Sequence, residues 1–208
     1  MTIILTRPRG QNAKLARRLE AFGDKVVCCP LVSIEPLGDE PIDVSGYDWV
    51  IVTSVNGARE LRRRMRGRPR RVAAIGRATA DAFGGADLVP AVSTQEGLLR
   101  ELPRPTGRVL FAGAEAARRL LVEELNADFV PLYRTHELTP DEPVHGDLVV
   151  LASPSAARAF SALKLNIPAI TIGPETSAEA RLGGVRVVRE ARTHDLDGLV
   201  SAVVSASR

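Results

Sequence analysis

The feature that most constrains the fold of this chain is an internal duplication, in which three segments return about 100 residues later. The first two pairs each show an apolar, strand-like run, a small polar turn and then a helical pattern. The pairs are 50–59 with 149–158, 73–80 with 169–178, and 95–99 with 196–200. A repeat of that length is a whole domain and not a solenoid unit. The sequence therefore predicts two similar α/β domains, with matching loops that hold a ligand between them.

Length and composition agree with a two-domain cytoplasmic protein. The 208 residues can form two domains, each of about 100 residues, which is an ordinary domain size. No charged start with an apolar signal core is present, and no apolar run approaches the ~20 residues that a membrane-spanning helix needs. We therefore expect a soluble, cytoplasmic protein that has no membrane partner.

The two cysteines give no sign of a metal site or a disulfide. Cys28 and Cys29 are adjacent in an apolar, strand-like run, where their side chains point to opposite faces. This favours packing in the core over a shared metal ion or a disulfide.

The formal net charge is +3, and of the 28 basic residues only Lys14, Lys25 and Lys164 are lysines. Arginine supplies planar groups that pair well with carboxylates and phosphates.

The hydrophobic pattern alternates strands with helices along most of the chain. Runs such as 49–52 and 148–151 are apolar without alternation, as expected of strands that are covered on both faces. Strands joined through helices form parallel sheets with right-handed crossovers. The predicted strands span 2–6, 25–34, 48–53, 71–75, 87–89, 108–112, 128–134, 147–152, 169–172 and 185–188, and the predicted helices span 10–22, 55–66, 77–84, 95–102, 115–126, 155–164, 175–183 and 196–206.

The order of these elements indicates a permutation. Only one strand-helix-strand unit precedes the repeated element at 50–59. That element begins a series of strands and helices, and the series ends with another strand-helix-strand unit at 108–134. Residues 1–34 and 140–208 are therefore predicted to form one discontinuous domain. Residues 43–130 form a second domain inserted in the first, with linkers at about 31–42 and 130–139. The predicted fold class is α/β, with two similar doubly wound, flavodoxin-like parallel sheets.

The loops that follow the predicted strands are rich in small and hydroxyl residues. In a doubly wound sheet, ligands bind beyond the carboxyl ends of the strands. Each of these loops is expected to open a helix, whose first turn has unpaired backbone N–H groups and the positive end of the helix dipole. Together they predict an anion-binding cleft. The loops are 6–8, 53–57, 76–79, 112–114, 153–155 and 173–176.

Several familiar catalytic and cofactor motifs are missing from the sequence. There is no G-x-G-x-x-G after a strand, no Walker-type phosphate loop and no cysteine-histidine cluster at metal spacing. His136, His145 and His194 fall in loops or linkers without an obvious carboxylate or nucleophile partner. Ser54 and Ser153 lie outside any G-x-S-x-G elbow, so helix capping explains them better than nucleophilic catalysis.

The run Arg62–Arg71 and the side chain of Tyr133 each have two interpretations. The arginine run is of a kind that binds nucleic acid, but it falls at a helix C-terminus, where cations complement the dipole, and no aromatic residue accompanies it for stacking. We interpret it as a solvated basic edge.

Tyr133 falls in the second predicted linker region, where it either donates a proton or braces a ligand, or packs as a hinge residue.

Taken in order, the short motifs of the chain resemble those of one enzyme family. No single motif is specific to a family. The order and spacing of the motifs, from residue 3 to about 200, make the set specific. The motifs are LTRP at 5–8, PLVSI at 30–34, YDWVIVTSVNG at 47–57, IGRATA at 75–80, EGLL at 96–99, YRT at 133–135, SPS at 153–155 and IGPET at 172–176. The set resembles the uroporphyrinogen-III synthase family.

The resemblance implies an enzyme of tetrapyrrole (heme) biosynthesis. Members of that family cyclise the linear tetrapyrrole hydroxymethylbilane to uroporphyrinogen III, with inversion of the terminal pyrrole ring and loss of water. The resemblance implies no cofactor, two domains joined by a two-stranded linker and a small-molecule substrate rich in carboxylates. We expect a monomer that binds no nucleic acid.

Carried over position by position, the family's cleft tyrosine matches Tyr133, which becomes the candidate catalytic acid or substrate brace. Glu175 departs from the small or hydroxyl residue that is common at its position in the family. Two alternatives stay open: a catalytically silent binding protein for a polyanionic metabolite, and a nucleic-acid-associated regulator. The resemblance implies no metal ligands, and its substrate-binding residues are Arg7, Ser54, Asn56, Gly57, Gly76, Arg77, Thr79, Ser153, Ser155, Gly173 and Thr176.

Overall fold

The computed structural model describes residues 1–206, and the chain divides into two compact units. Unit 1 comprises residues 1–33 together with those from 135 onward, and unit 2 comprises residues 34–134. No helix within residues 1–206 is both long enough and apolar enough to cross a membrane.

Twelve strands and eight helices are described, in an alternating order over most of the chain. The strands are β1 Thr2–Leu5, β2 Lys25–Cys28, β3 Val32–Pro36, β4 Ile42–Asp43, β5 Trp49–Val52, β6 Met65–Arg66, β7 Val72–Ala74, β8 Val109–Ala114, β9 Asp128–Glu137, β10 Leu148–Leu151, β11 Ala169–Thr171 and β12 Val187–Glu190. The helices are α1 Ala13–Glu20, α2 Val55–Arg64, α3 Arg77–Phe83, α4 Gln95–Glu101, α5 Leu120–Leu125, α6 Pro154–Ala162, α7 Pro174–Leu182 and α8 Leu196–Ala206.

Unit 1 contains a parallel sheet in the order β12-β11-β10-β1-β2. Numbered within the unit, this is the order 2-1-3-4-5, which is one of the common doubly wound arrangements. The strands are apolar on both faces because helices cover both faces. Ile3 and Leu5 pack with residues of α1 and α8, whereas Ile4, between them, packs with residues of α6 and α7.

Unit 2 repeats this arrangement from a different starting strand. Its sheet has the order β3-β9-β8-β5-β7, and Leu88 forms an isolated parallel bridge with Ala73 of β7. If β8 and β9 are counted as the first two strands, and β5 and β7 as the next two, the order is again 2-1-3-4. Val50 packs with residues of α2 and α3, and its neighbour Ile51 packs with residues of α4 and α5.

The chain passes from one unit to the other within β3 and within β9, which are neighbours in the second sheet. In unit 2, the Leu37 N–H donates to the Leu132 carbonyl oxygen at 2.9 Å. In unit 1, the Leu138 N–H donates to the Leu31 carbonyl oxygen at 2.8 Å. Both passages are therefore held by backbone hydrogen bonds on either side of the boundary.

Two predicted elements are shorter than the sequence pattern indicates. The predicted strand 25–34 is interrupted, because Pro30 has no N–H to give to a sheet, and its two parts belong to different sheets. The predicted helix 115–126 begins only at Leu120. Before it, the Arg118 carbonyl oxygen accepts a hydrogen bond from the Gln95 side chain at 3.3 Å. This tertiary contact holds the segment in turns and overrides the helical pattern.

Two further differences concern short strands. The predicted strand 87–89 is reduced to the single bridge at Leu88, because Pro90 follows two residues later and cannot donate to a sheet. The stretch 36–46, in which the sequence analysis predicts neither a strand nor a helix, contains β4. β4 pairs in parallel with β6, so a separate two-stranded sheet in unit 2 joins this stretch to the end of α2.

The interpretation of the cysteines as core residues is wrong for Cys28, which is exposed. It ends β2, the edge strand of its sheet, so a neighbouring strand covers only one side of it. Cys29 is half-buried, and both thiols are free. Burial raises the pKa of each thiol, and the charge of Glu20 adds to that effect at Cys28.

The interpretation of Arg62–Arg71 as a solvated edge is wrong for Arg64, which is buried. Its Nε donates to the Glu40 carbonyl oxygen and an Nη donates to the Leu37 carbonyl oxygen, both at 2.9 Å. Arg64 therefore fastens the segment after β3 to the end of α2. Other members of the run are ion-paired or stacked: Arg63 with Glu60 and Asp39, Arg70 with Asp48, and Arg71 over the Trp49 ring.

Gly198 sets a packing limit that can be measured. A Cβ at this position would lie 2.0 Å from the Thr193 carbonyl oxygen, which is backbone and cannot move away cheaply. We expect Gly198→Ala to lower the free energy of unfolding by about 3 kcal/mol in urea denaturation. The control is Gly184→Ala, where φ is +81° but nothing lies within 4 Å of the new atom. That variant adds only backbone strain of about 1 kcal/mol; equal losses in the two variants would contradict the argument.

Arg64 and Arg68 provide a second matched pair. Arg64→Ala removes two hydrogen bonds from a buried guanidinium, so we expect the free energy of unfolding to fall by about 2 kcal/mol. Arg68 is exposed, and Arg68→Ala should change it by no more than about 0.5 kcal/mol. Chemical denaturation of both variants measures the difference. If the two variants are equally stable, Arg64 does not hold the segment after β3.

Candidate functional site

The carboxyl edge of each parallel sheet carries the loops that the sequence analysis identified. In unit 1 these loops follow β1, β10 and β11, and in unit 2 they follow β5, β7 and β8. A parallel sheet places the carboxyl ends of all its strands at one edge, where doubly wound proteins bind ligands. Each unit therefore gathers its own set of the predicted site residues at one edge.

Ser54 caps α2 in unit 2. Its backbone is extended, with φ of −157°, and its Oγ accepts a hydrogen bond from the Gly57 N–H at 2.9 Å. The cap satisfies one of the N–H groups that a helix leaves unpaired in its first turn. A Cβ at Gly57 would lie 3.0 Å from Ser54 Oγ and 3.7 Å from the Ala112 carbonyl oxygen. The glycine thus leaves room for the capping oxygen of Ser54, and Asn56, the residue before it, is half-buried.

Tyr133 lies in β9, where its phenol oxygen is 2.9 Å from Ser54 Oγ. The two residues are 79 positions apart in the sequence. Tyr133 is buried, with 7% of its surface exposed, and this burial raises the pKa of the phenol. The hydrogen bond with Ser54 acts in the opposite direction and is the smaller effect. The phenol is therefore neutral at ordinary pH and carries a proton that it can donate.

Gly76 is the N-cap of α3 and contributes no side-chain cap. Arg77, the first residue of the helix, is exposed. Thr79 is 5% exposed, and its N–H donates to the Gly76 carbonyl oxygen at 3.1 Å. At this turn the Arg77 side chain is thus exposed to solvent, whereas the Thr79 side chain is buried.

Ser153 does in unit 1 what Ser54 does in unit 2. Its backbone is extended, with φ of −164°, and its Oγ accepts a hydrogen bond from the Ala156 N–H at 3.2 Å. The Ser155 Oγ lies 3.1 Å from the Ser153 Oγ, in the role that the phenol of Tyr133 has beside Ser54. Both serines of unit 1 are half-buried.

Gly173 is the N-cap of α7 and, like Gly76, contributes no side-chain cap. Thr176 is buried, with 2% of its surface exposed, whereas Glu175 is exposed. The two glycine turns therefore share one design: a bare glycine cap, an exposed polar side chain in the first turn and a buried threonine.

A chain of hydroxyl groups supports the Gly173 turn from within unit 1. Thr171 Oγ1 lies 2.6 Å from Ser177 Oγ, and both residues are buried. Ser177 Oγ donates to a carboxylate oxygen of Glu190 at 2.5 Å. Because these residues belong to β11, α7 and β12, the chain fixes the position of α7 relative to the carboxyl edge of the sheet.

Arg7 follows β1 and is half-buried. One Nη donates to the Gln11 carbonyl oxygen at 2.9 Å, and the Asn12 side chain donates to the Arg7 carbonyl oxygen at 3.0 Å. The segment between β1 and α1 is thus closed on itself. Since β1 pairs with β10, Arg7 follows the same edge of the sheet as Ser153.

Two polar side chains at these edges are absent from the residues that the sequence analysis assigns to the site. A Cβ at Gly76 would lie 3.2 Å from Ser93 Oγ, and a Cβ at Gly173 would lie 2.9 Å from His194 Nε2. Ser93 and His194 belong to the loops before α4 and α8, the helices of the third repeated pair. The repeat is the signal that points to these loops, but the approach of each side chain to its glycine is visible only in the structure.

The edges offer donors rather than metal ligands. Within the described residues 1–206, no group of three or more histidine, cysteine, aspartate and glutamate side chains is placed to hold a metal ion. The backbone N–H groups of the helix starts, the hydroxyls, Arg7 and Arg77 suit carboxylates. The phenol of Tyr133 adds one neutral proton donor.

Comparisons with known proteins find relatives along nearly the whole chain. A family model described as uroporphyrinogen-III synthase HemD matches residues 13–201. The chain is 28% identical over 254 aligned positions to the uroporphyrinogen-III synthase of Synechococcus elongatus, covering 100% of this chain and 96% of that protein. It is 27% identical over 243 positions to the chloroplastic uroporphyrinogen-III synthase of Oryza sativa subsp. japonica, covering 99% of this chain and 80% of that protein.

A solved structure is similar in fold. A mutant uroporphyrinogen III synthase from the extremely thermophilic bacterium Thermus thermophilus aligns with a TM-score of 0.62 and 16% identity, covering 100% of this chain and 98% of that one. The likeness shows a mixed α/β fold with parallel sheets. Because the family model spans residues 13–201, which is most of the chain, the chain belongs to the uroporphyrinogen-III synthase family.

Proposed function

We propose that this protein cyclises hydroxymethylbilane to uroporphyrinogen III in tetrapyrrole (heme) biosynthesis, with inversion of the terminal pyrrole ring and release of water. Family membership supports this activity. Within the molecule, the observation that carries it is the pair of Tyr133 and Ser54, a buried neutral proton donor that touches the cap of a helix start. The protein is then a cyclising hydro-lyase that needs no cofactor.

The acetate and propionate groups of the bilane account for the duplicated helix starts in this proposal. Because Thr79 and Thr176 are buried, the Gly76 and Gly173 turns offer backbone N–H groups first, and the threonines support those turns from beneath. Glu175 is exposed, so solvent partly screens its charge from the bound carboxylates. The proposed substrate-binding residues are Arg7, Ser54, Asn56, Gly57, Gly76, Arg77, Thr79, Ser153, Ser155, Gly173 and Thr176.

The main task of the protein is to orient the bilane. Loss of the hydroxyl group gives a reactive azafulvene, and closure at the unsubstituted carbon of the terminal ring gives the non-inverted isomer I. Attack by the substituted carbon instead forms a spiro intermediate, which fragments and recloses as isomer III. Loops that fix the acetate and propionate groups make the spiro route the nearest geometry.

Ser54 decides where the proton of Tyr133 can go. Its Oγ already accepts the Gly57 N–H, so its own hydrogen is available to the phenol oxygen 2.9 Å away. The phenol then keeps its hydrogen for the departing hydroxyl of the substrate, which leaves as water. When the closed ring loses the hydrogen of its formerly unsubstituted carbon, that proton returns to the phenolate.

We further propose that the two units are flavodoxin-like domains, with one inserted in the other. The strand orders support this assignment. The proposed domains are residues 1–34 with 140–208 and the inserted 43–130, with linkers at about 31–42 and 130–139 that form a two-stranded connection. The protein acts in the cytoplasm as a monomer that binds no nucleic acid. The last point is supported by Arg64 of the arginine run, which is buried and donates to the backbone carbonyl oxygens of Glu40 and Leu37.

The proposed reaction has a direct test. Purified protein given freshly generated hydroxymethylbilane should form uroporphyrinogen III well above the spontaneous isomer I, as measured by chromatographic separation of the oxidised isomers. Arg68→Ala should leave this ratio unchanged, because Arg68 lies in the exposed part of the arginine run. Isomer I alone would contradict the proposed activity, and saturable binding without isomer III would favour a catalytically silent binding protein for polyanions.

The role of Tyr133 has a test of its own. Tyr133→Phe removes the phenol hydrogen, so we expect kcat to fall about 100-fold while KM changes less than about threefold. Because burial holds the pKa of Tyr133 above its ordinary value, the phenol stays protonated, and the ratio of wild-type to variant kcat should be constant from about pH 6 to pH 9.

The matched control is the other tyrosine. The Tyr47 hydroxyl donates to the exposed Asp128 at 2.8 Å, away from Ser54, so Tyr47→Phe should keep full turnover. If Tyr133→Phe also keeps full turnover, Tyr133 is a packing residue and the proton comes from another donor.

A further inference from the structure

We infer that His194 is a further substrate-binding residue, which donates a hydrogen bond from Nε2 to one carboxylate of the tetrapyrrole at the Gly173 turn of unit 1. The inference rests on the proposed function. It adds a side chain that lies outside the motifs through which the family resemblance assigns the site, and the structure is what brings it to the turn.

The imidazole of His194 takes up the space that a side chain at position 173 would need. A Cβ at Gly173 would lie 2.9 Å from Nε2, 3.0 Å from Cδ2 and 3.2 Å from Cε1 of the ring. The ring edge that bears Nε2 therefore faces the Gly173 Cα. A contact of 2.9 Å is too short for a real Cβ, so a side chain at position 173 would require the imidazole to move. The glycine leaves room for the nitrogen beside the cap of α7, where the first-turn N–H groups also point.

His194 is placed where a substrate can reach it. It lies in the loop between β12 and α8, which follows the carboxyl end of β12 in the sheet that also contains β11. Its surface is half-buried. Among residues 1–206, no hydrogen bond or ion pair holds its ring. A carboxylate that arrives at the turn does not have to displace an internal partner of this nitrogen.

The acidic residues beside His194 and at the Gly173 turn do not take its proposed role as a carboxylate-binding donor. Asp195 Oδ1 accepts the Gly198 N–H at 2.8 Å and the Thr193 hydroxyl at 2.9 Å, so this carboxylate caps α8. Glu175, in the first turn of α7, is exposed. Its negative charge repels an anionic substrate group, and a hydrogen bond donated by His194 at the same turn offsets that repulsion.

Unit 2 supports the inference independently. At the equivalent turn, Ser93 Oγ lies 3.2 Å from the position of a Cβ at Gly76. Ser93 is also half-buried, and no hydrogen bond of its hydroxyl is among those of residues 1–206. Packing over a glycine could be achieved with any small apolar side chain. Both units place a polar side chain there instead.

The experiment compares KM with kcat for hydroxymethylbilane in the full-length protein. His194→Phe keeps a ring of similar size but loses the donor, and we expect KM to rise about tenfold with kcat within twofold of wild type. His194→Gln keeps an N–H near the position of Nε2, and its KM should stay within about threefold of wild type. The control is His145→Phe, because His145 is exposed in another loop and that variant should behave as wild type.

A second variant, at Gly173, tests the position of the same nitrogen without changing His194. Gly173→Ala displaces the imidazole and should raise KM by a similar factor, and urea denaturation of every variant shows that the protein is folded. If His194→Phe leaves KM unchanged while the wild type forms isomer III, the inference is overturned and the proposed function stands. A fall in kcat at unchanged KM overturns it too. If the wild type forms no isomer III, the proposed function itself fails, whatever His194 does.

Discussion

The unpaired N–H groups in the first turn of each helix are the constraint on which the rest of this structure depends. Parallel strands deliver these turns to one edge of each sheet, and every turn must find an acceptor for its donors. Ser54 and Ser153 supply an oxygen of their own, whereas Gly76 and Gly173 supply none. Each serine oxygen satisfies one of the donors of its turn. In the proposed function, the donors that remain at the glycine turns bind carboxylates of the substrate, so one structural requirement serves both the fold and the proposed binding surface.

The features that the sequence predicted well are those that local patterns determine. Apolar runs without alternation indicated strands covered on both faces, and the repeated turns indicated where the second copy of the arrangement begins. The helix caps at Ser54 and Ser153 could be predicted because a capping residue acts within three positions of itself. The contact between Ser54 and Tyr133, and the approach of His194 to Gly173, join residues from different elements. No local pattern encodes such contacts.

Two of the wrong expectations share one physical cause, which is a contact supplied from elsewhere in the chain. Arg64 has the sequence context of a solvated helix end, but two backbone carbonyls of the segment after β3 bind its guanidinium and bury it. The predicted helix 115–126 has a helical pattern throughout, but its first turn is replaced where the Gln95 side chain takes the Arg118 carbonyl. Cys28 has apolar neighbours, yet it ends an edge strand that leaves it exposed.

The strand order of unit 1 has a consequence for how the protein assembles. In a 2-1-3-4-5 sheet the second strand lies at an edge, so the connection to the third strand must cross the first. In this chain that connection, from β2 to β10, contains all of unit 2. Unit 2 is continuous in the sequence and can fold on the ribosome as soon as its last strand emerges. Residues 1–33 must wait for β10 before their sheet can close, so the order of translation imposes the order of folding.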